Sequence, residues 1–267
     1  MKTKLIDYVE NGPIFITGHV NPDGDALGSA FALKLFLDSQ NIISDVDFDI
    51  TTKLPSNLNH LPYHLISDDL KEKYNTVFVF DCGNSSRLGK YEEVVLEAEN
   101  IVVIDHHVDP SFGDVQIIDP HAASTTQVLF RQFKDENIEI NEEMSNCLLT
   151  GLITDTGRFQ YSNTTSEVFS IAAELLSNGA NLSRISENIY GSIEFNALTL
   201  QSKIIERIVL NEDLQFAHSI VFQNDYKDFQ VEPEETDFLI DVVRLVKEST
   251  VALLLKEQED GSFKGSL

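Results

Sequence analysis

Four short segments of the chain place histidines and aspartates together after an apolar run. Carboxylate and imidazole groups are ligands for divalent cations, and four carboxylates with two imidazoles exceed the need of one ion. Two ions about 3.5–4 Å apart that share one carboxylate and a water would use them all. The sequence therefore predicts a binuclear metal centre, with Mn²⁺ as the best-suited ion and Mg²⁺, Co²⁺, Fe²⁺ or Zn²⁺ as alternatives. Its predicted ligands are His19, Asp23, Asp25, Asp81, His106 and Asp155.

Each of these segments also has an ordinary structural explanation. Asp23-Gly24 is a common turn sequence, and a lone aspartate after a strand often caps a helix. Asp155 could pair with Arg158, three residues further on, instead of with a cation. Turns and caps explain less well why His or Asp follows three successive apolar runs. A buried helix that ended in an unpaired Asp155 would also be costly, because an isolated buried charge is unfavourable.

Apolar runs and helical periodicity indicate the elements that position these side chains. Near-continuous apolar runs are typical of strands buried on both faces of a parallel sheet. The predicted strands are Pro13–Thr17, Thr76–Phe80 and Asn100–Ile104. The predicted helices are Asp25–Gln40, Glu142–Thr154 and Thr165–Ser177. This alternation predicts an α/β fold with a doubly wound, mostly parallel sheet, whose carboxyl edge would bring the polar segments together.

The pattern changes after about residue 190, which predicts a second, smaller α+β domain at 191–267 after a first domain at 1–190. Its predicted elements are helix Leu198–Val209, strand Leu214–Phe222, amphipathic helix Glu234–Glu248, strand Thr250–Lys256 and a last strand Ser262–Leu267. The last strand stops without a turn or polar tail, so we expect the natural protein to extend beyond it.

The composition narrows the class of partner. The 267 residues carry a net charge of -25, from 19 basic and 44 acidic side chains. Such a chain repels polyanions, which disfavours a broad groove for duplex DNA. A small phosphorylated substrate is still compatible with this net charge, because bound cations would supply local positive charge. The two cysteines, Cys82 and Cys147, are far apart in the sequence. The sequence shows no signal peptide and no apolar run long enough to span a membrane. These features predict a cytoplasmic protein that does not associate with membranes.

In order and spacing, the four segments resemble the motifs of the DHH superfamily of phosphoesterases, named for its Asp-His-His triplet. The matching segments are GHVNPDGDALGSA at 18–30, FDCG at 80–83, DHH at 105–107 and GLITDTGRF at 151–159. The resemblance covers roughly residues 1–190. The remainder resembles the start of a DHHA1 domain, whose Gly-Gly-Gly-His motif is absent from this chain.

This resemblance implies a role for each residue of the site. One ion would be held by His19, Asp23 and Asp81, and the other by Asp25, Asp81, His106 and Asp155, with Asp81 bridging. Asp105 would orient a ligand, and His107 would touch the substrate phosphate or the leaving oxygen. Substrate phosphate would be contacted by Arg158, Ser124 and Thr125, although Ser124 and Thr125 could instead cap the helix that follows Pro120.

The superfamily members that the chain resembles are bacterial oligoribonucleases that also act as phosphatases of 3′-phosphoadenosine 5′-phosphate (pAp). The resemblance therefore implies a metal-dependent phosphoesterase that hydrolyses short oligoribonucleotides, pAp or both, through a metal-bridging hydroxide. A homodimer is a further expectation. Two alternatives stay open: a phosphodiesterase of cyclic or linear dinucleotides, and a non-catalytic nucleotide-binding protein. The second would be expected to have lost metal ligands.

Overall fold

The chain divides into two compact units, Met1–Ile189 and Tyr190–Leu267. The structure is a computed structural model that describes residues 4–9, 12–51, 53–108, 111–191, 193–236 and 238–267. No helix of these described ranges is long and apolar enough to cross a membrane.

The first unit contains a five-stranded, entirely parallel sheet with the order β2-β1-β3-β4-β5. Its strands are β1 (Ile14–Gly18), β2 (Ser44–Val46), β3 (Thr76–Phe80), β4 (Asn100–Asp105) and β5 (Val115–Ile118). Its helices are α1 (Gly24–Ser39), α2 (Glu92–Leu96), α3 (Thr125–Asp135), α4 (Glu142–Asp155), α5 (Ser166–Ser177) and α6 (Leu182–Tyr190), the last of which ends at the division. The predicted α/β class with a parallel sheet is confirmed.

Both faces of this sheet are covered, which explains why its central strands are apolar at most positions. One face packs against α2 and the 3-10 segment Ser85–Tyr91, where Phe15, Val77 and Val103 contribute to a buried cluster. Helices α1 and α3 pack on the other side, and α4 packs against α1. Helix α1 is therefore buried around most of its circumference.

The second unit contains a four-stranded mixed sheet with the order β6-β7-β8-β9. Its strands are β6 (Val209–Asn211), β7 (Phe216–Val221), β8 (Val251–Glu257) and β9 (Phe263–Ser266). Its helices are α7 (Phe195–Glu206), α8 (Gln223–Phe229) and α9 (Leu239–Arg244). Strands β7 and β8 are parallel, and each outer strand is antiparallel to its neighbour. Its assignment to the start of a DHHA1 domain stays a prediction.

Two predicted helices of this unit are wrong in their extent. The helix predicted at Leu198–Val209 is α7, which ends at Glu206, because Val209 pairs with His218 in the sheet. The helix predicted at Glu234–Glu248 is a 3-10 turn at Pro233–Thr236 followed by the short α9; residue 237 lies outside the described residues. Here the Thr236 hydroxyl donates to the Pro233 carbonyl, a local bond that competes with a regular helix.

Helices α1 and α4 approach so closely that a glycine is required between them. A β-carbon at Gly28 would lie 2.4 Å from the carbonyl oxygen of Cys147, a main-chain atom that cannot rotate away. Because α1 and α4 each carry a predicted metal ligand, this contact also fixes the distance between those ligands.

We expect Gly28→Ala to lower the free energy of unfolding by about 1–3 kcal/mol, the usual cost of overpacking. Alanine is about 1 kcal/mol more favourable than glycine in a helix interior, so the clash must cost more than this gain before the protein is destabilised. Urea denaturation measures the difference. Gly12→Ala is the control, because its β-carbon would meet no heavy atom within 4 Å. A Gly28→Ala protein as stable as the unchanged chain would contradict the close approach.

Candidate metal centre

The central strands of the first sheet end level with one another, at the edge where the polar segments begin. Gly18 of β1 is in register with Phe80 of β3, and Phe80 is in register with Ile104 of β4. The residues that follow are His19, Asp81 and Asp105. Strands β1 and β3 lie where the strand order reverses direction, which is where open α/β sheets form their ligand crevice.

Two helix N-termini hold the first pair of carboxylates. Asp23 is the N-cap of α1, and its Oδ1 accepts from the backbone N–H groups of Asp25 and Ala26. Asp25 is fully buried and accepts from the N–H groups of Thr125 at 2.6 Å and Thr126 at 2.9 Å, in the first turn of α3. The unsatisfied N–H groups of a helix start favour negative charge, so these carboxylates have fixed positions.

Asp81 lies between two imidazoles, with one carboxylate oxygen facing each. Its Oδ2 is 3.5 Å from Nε2 of His19, and its Oδ1 is 3.5 Å from Nε2 of His106. The hydroxyl of Thr125 donates to Oδ1 at 3.1 Å. The backbone of Asp81 is left-handed, with a φ of 53°, a conformation that aspartate tolerates better than most residues. Asp81 is thus placed to join two groups of ligands.

All six predicted ligands come together at this edge. Groups whose ligand atoms lie within 4.8 Å of one another are His19 with Asp23 and Asp81, Asp25 with His106 and Asp155, and Asp81 with Asp105, His106 and His107. Asp155 is the last residue of α4, and its Oδ2 is 3.3 Å from Nε2 of His106. The groups overlap at Asp81 and His106, so they form one centre.

The Asp-His-His segment divides its residues between the interior and the surface. Asp105 is fully buried, and its Oδ1 is 2.8 Å from Nδ1 of His107 and accepts from the backbone N–H of His107 at 2.9 Å. The other oxygen of Asp105 is buried without a hydrogen-bond partner. His107 is about half exposed, with 47% of its side chain accessible. Asp105 therefore fixes the orientation of an imidazole that solvent can reach.

The crowding of charge changes the pKa values of the centre. Burial, with the neighbouring Asp81 and Asp23, raises the pKa of Asp25 to about 8. Burial and the same carboxylates, together with Asp25, raise the pKa of Asp155 well above its ordinary value. Burial also opposes ionisation of Asp81, but the imidazoles of His107 and His19 outweigh it and hold the pKa of Asp81 below its ordinary range.

The imidazoles respond in the opposite direction. Burial lowers the pKa of His19, but the carboxylates of Asp23 and Asp81 outweigh it and raise that pKa to about 10. The hydrogen bonds to Asp105 and then to Asp81 raise the pKa of His107 to about 10. Without a metal ion, imidazoles and carboxylates of the centre therefore bind protons. A divalent cation would displace these protons when it binds.

The donor set suits divalent cations, and most of its donor atoms stand slightly farther apart than the ligands of one bound ion. Oxygen and nitrogen atoms bound at about 2.1 Å to one ion lie about 3.0–3.4 Å apart. The Nε2–Oδ separations within the two histidine–aspartate groups run from 3.3 to 4.0 Å, longer than good hydrogen bonds. Nδ1 of His19 is 2.9 Å from the Val20 carbonyl, which favours a proton on Nδ1 and leaves Nε2 to face a cation.

The structure places the three predicted phosphate contacts differently from one another. Arg158 is exposed and lies three residues after Asp155. Ser124 is fully buried, and its hydroxyl caps α3 by accepting from the N–H of Gln127, which is the alternative considered from the sequence. Thr125 is fully buried against Asp81. The burial of Ser124 and Thr125 disfavours contact with substrate, and their assignment to substrate phosphate stays a prediction.

Sequence reasoning missed two residues that shape the centre. Thr126 holds Asp25 through its backbone N–H, which no side-chain pattern reveals. A β-carbon at Gly151 of α4 would lie 2.6 Å from Oδ1 of Asp25, so the glycine makes space for that carboxylate. The sequence signals were the position of Gly151 inside a predicted helix, where glycine is costly unless a packing reason exists, and its place at the start of GLITDTGRF.

Comparison with known proteins identifies the family. Residues 13–152 match the DHH family, N-terminal domain. The chain is 30% identical over 259 residues to the bifunctional oligoribonuclease and PAP phosphatase NrnA of Thermus thermophilus, covering 94% of this chain and 74% of that protein. It is 27% identical over 269 residues to the probable bifunctional oligoribonuclease and PAP phosphatase NrnA of Streptococcus mutans, covering 98% of this chain and 83% of that protein.

Solved structures agree. An exopolyphosphatase-related protein from Bacteroides fragilis superposes with a TM-score of 0.88 at 26% identity, over 96% of this chain and 79% of that one. RecJ of Thermus thermophilus in complex with Mn²⁺ shares the fold, with a TM-score of 0.50 at 11% identity, over 94% of this chain and 45% of that one.

The site and the fold together define a metal-dependent phosphoesterase. The chain belongs to the DHH family.

We expect metal removal to destabilise the protein, because cations offset the repulsion between buried carboxylates. At a Mn²⁺ concentration about 100 times the dissociation constant, binding adds about 2.7 kcal/mol to the free energy of unfolding. Thermal denaturation in Mn²⁺ and in EDTA measures this change. Asp81→Asn should abolish most of it, whereas Asp38→Asn, on the exposed last turn of α1, should keep it. An equal response of both variants to Mn²⁺ would contradict the role of Asp81.

In the metal-free protein, we expect His107 to stay protonated through neutral pH. Because its pKa is raised, the stabilisation it provides is complete below its ordinary value of 6.5 and is lost as the pH rises through about 10. An NMR titration of the histidine ring protons measures the pKa. Asp105→Asn should lower it, and Asp38→Asn should not. A His107 that titrates near 6.5 in the unchanged chain would refute this charge arrangement.

Proposed function

We propose that this chain hydrolyses the phosphoester bonds of short oligoribonucleotides and of pAp. The observation that carries the proposal is the position of Asp81, whose two oxygens face two histidine–aspartate groups. This arrangement suits a pair of cations better than a single one. The names of the Thermus thermophilus and Streptococcus mutans relatives supply the two substrates.

The proposed ligands divide into two sets that share one carboxylate. His19, Asp23 and Asp81 would hold one ion, and Asp25, Asp81, His106 and Asp155 the other. Bound divalent ions would lower the pKa of an attacking water and offset the charge on the phosphoryl oxygens. We propose Mn²⁺ as the preferred ion, because the donor set mixes carboxylates with imidazoles and because RecJ, which shares the fold, binds Mn²⁺.

The protein's own contribution is to position groups around the phosphate. His107 is half exposed, and its protonated imidazole is held by Asp105, so it can donate a proton to a phosphate or to the leaving oxygen. Arg158 is exposed, lies three residues after Asp155 and adds positive charge to an acidic chain. A fixed donor of this kind needs no reorganisation when charge develops on the leaving group.

Four further expectations stay proposals. The second unit would be the start of a DHHA1 domain that contributes to substrate binding. The protein would act in the cytoplasm, because its two cysteines are free and buried, as in a reducing compartment. It would not bind duplex DNA, because its net charge of -25 repels a polyanion. It would form a homodimer.

The proposal predicts metal-dependent cleavage of pAp and of a labelled RNA dinucleotide. Both substrates are incubated with the protein in Mn²⁺ and in EDTA, and products are separated by chromatography. His106→Ala should lower kcat at least 100-fold, because it removes a ligand from the group that contains Asp25 and Asp155. The relative kcat/KM values rank the two substrates.

His64→Ala is the matched control, because His64 is exposed and lies outside the ligand groups. It should retain the activity of the unchanged chain. Hydrolysis that persists in EDTA or in His106→Ala would refute the metal-dependent proposal. Absence of cleavage of both substrates, while Mn²⁺ still raises Tm, would refute these substrates and favour a cyclic dinucleotide or a non-catalytic nucleotide-binding protein.

A further inference from the structure

Two aromatic rings lie together at the surface after the last metal ligand. The ring centroids of Phe159 and Phe169 are 5.4 Å apart, with 33° between the ring planes. Phe169 is 56% exposed on α5, and Phe159 is partly exposed. We call Phe159 and Phe169 the aromatic platform. Exposed phenylalanines in contact with each other stabilise the fold little, because much of their apolar surface stays in water.

The backbone that carries Phe159 adopts an unfavourable conformation. Gly157, Arg158 and Phe159 are all left-handed, with φ values of 52°, 63° and 63°. Arginine and phenylalanine rarely adopt this conformation, and such residues concentrate where function requires a fixed geometry. The ring of Tyr161 covers Gly157 and leaves no room for a β-carbon, and the hydroxyl of Thr156 accepts from the N–H of Phe159 at 3.2 Å. These contacts thus fix the backbone conformation of the segment.

Hydrogen bonds tie the segment that carries the platform to the metal centre. The side-chain amide of Asn163 donates to the carbonyl of Asp155 at 3.0 Å and to the carbonyl of Ala123 at 3.3 Å. The neighbouring carbonyl of Ala122 is 3.4 Å from Nδ1 of His106. The platform therefore keeps a fixed position relative to two predicted ligands.

A second connection runs through the start of α5. Arg131 of α3 pairs with Glu167, two residues before Phe169, and with Asp119. The backbone N–H of Asp119 donates to the carbonyl of Asp105 at 3.2 Å. This chain of contacts places the first turn of α5 on the carboxyl edge of the sheet, the same edge as the metal centre.

We propose that the aromatic platform stacks against the nucleobase of a substrate whose phosphate lies at the metal centre. This inference rests on the proposed function. An aromatic face that these contacts connect to the metal centre, with the exposed Arg158 between Asp155 and Phe159 in sequence, suits a planar base joined to a phosphate. Stacking is tolerant of base identity, because every base has a π-face. The platform thus selects nucleotides over inorganic phosphates without requiring one sequence.

The test replaces Phe169 and compares substrates with and without a base. Phe169→Ala should raise KM for an RNA dinucleotide about fivefold or more, with little change in kcat. A dinucleotide with one abasic ribose serves as the second substrate. If the missing base is the one that stacks, Phe169→Ala should change the KM for this substrate less than the KM for the complete dinucleotide. Phe169→Trp should retain or lower the original KM. Leu176→Ala is the control, because Leu176 is exposed on the same helix seven residues further on.

Binding measured without turnover keeps this inference separate from the proposed function. Calorimetric titration of AMP in Mn²⁺ should show weaker binding to Phe169→Ala and unchanged binding to Leu176→Ala. Equal KM values for Phe169→Ala and the unchanged chain, or unchanged AMP affinity, would overturn the platform. A change in oligomeric state with no change in AMP affinity would assign the rings to a contact between copies and also overturn it. Absence of hydrolysis with the AMP result intact would refute only the proposed function.

Discussion

The repulsion between carboxylates gathered at one buried edge is the constraint on which the rest of the structure depends. Two unit charges 4 Å apart repel by about 4 kcal/mol at an effective dielectric constant of 20. Asp25, Asp81 and Asp155 are all held near His106. The protein offsets part of this cost with helix N-termini, the Thr125 hydroxyl and protonated imidazoles. Burial first, and then the neighbouring carboxylates, raise the pKa values of Asp25 and Asp155.

The fold fixes the distances between the ligand side chains without help from a bound ion. Parallel strands that end level with one another bring His19, Asp81 and Asp105 to one edge. The glycine contact between α1 and α4 sets how closely their ligands can approach. Because the ligands come from four segments that are far apart in the sequence, the centre forms only when the first unit has folded. A loop carrying the same residues would lose far more conformational entropy on binding.

The sequence predicted the parts of the site that side-chain types encode, and missed those made by the main chain. The three apolar runs mark buried parallel strands because every position is covered, so their ends could be located together with the ligands. The donors to Asp25 are backbone N–H groups of Thr125 and Thr126, which any residue type can provide. Edge strands β2 and β5 were missed because their short runs mix polar and apolar residues. The helix predicted at Glu234–Glu248 begins instead as a 3-10 turn, where the Thr236 hydroxyl donates to the Pro233 carbonyl in a local bond that periodicity does not register.

Helices α1 and α4 meet the centre with opposite ends: α1 brings its N-cap Asp23 and Asp25 of its first turn, and α4 brings its last residue, Asp155. The N-terminus of a helix carries about half a positive charge and the C-terminus about half a negative one. An electric field therefore runs across the centre, from the side of Asp23 toward the side of Asp155. A cation would gain from the α4 terminus beside Asp155, whereas the N-terminal turn of α1 stabilises the carboxylates of Asp23 and Asp25. One helix end therefore positions the ligands, and the other would attract the ion that they bind.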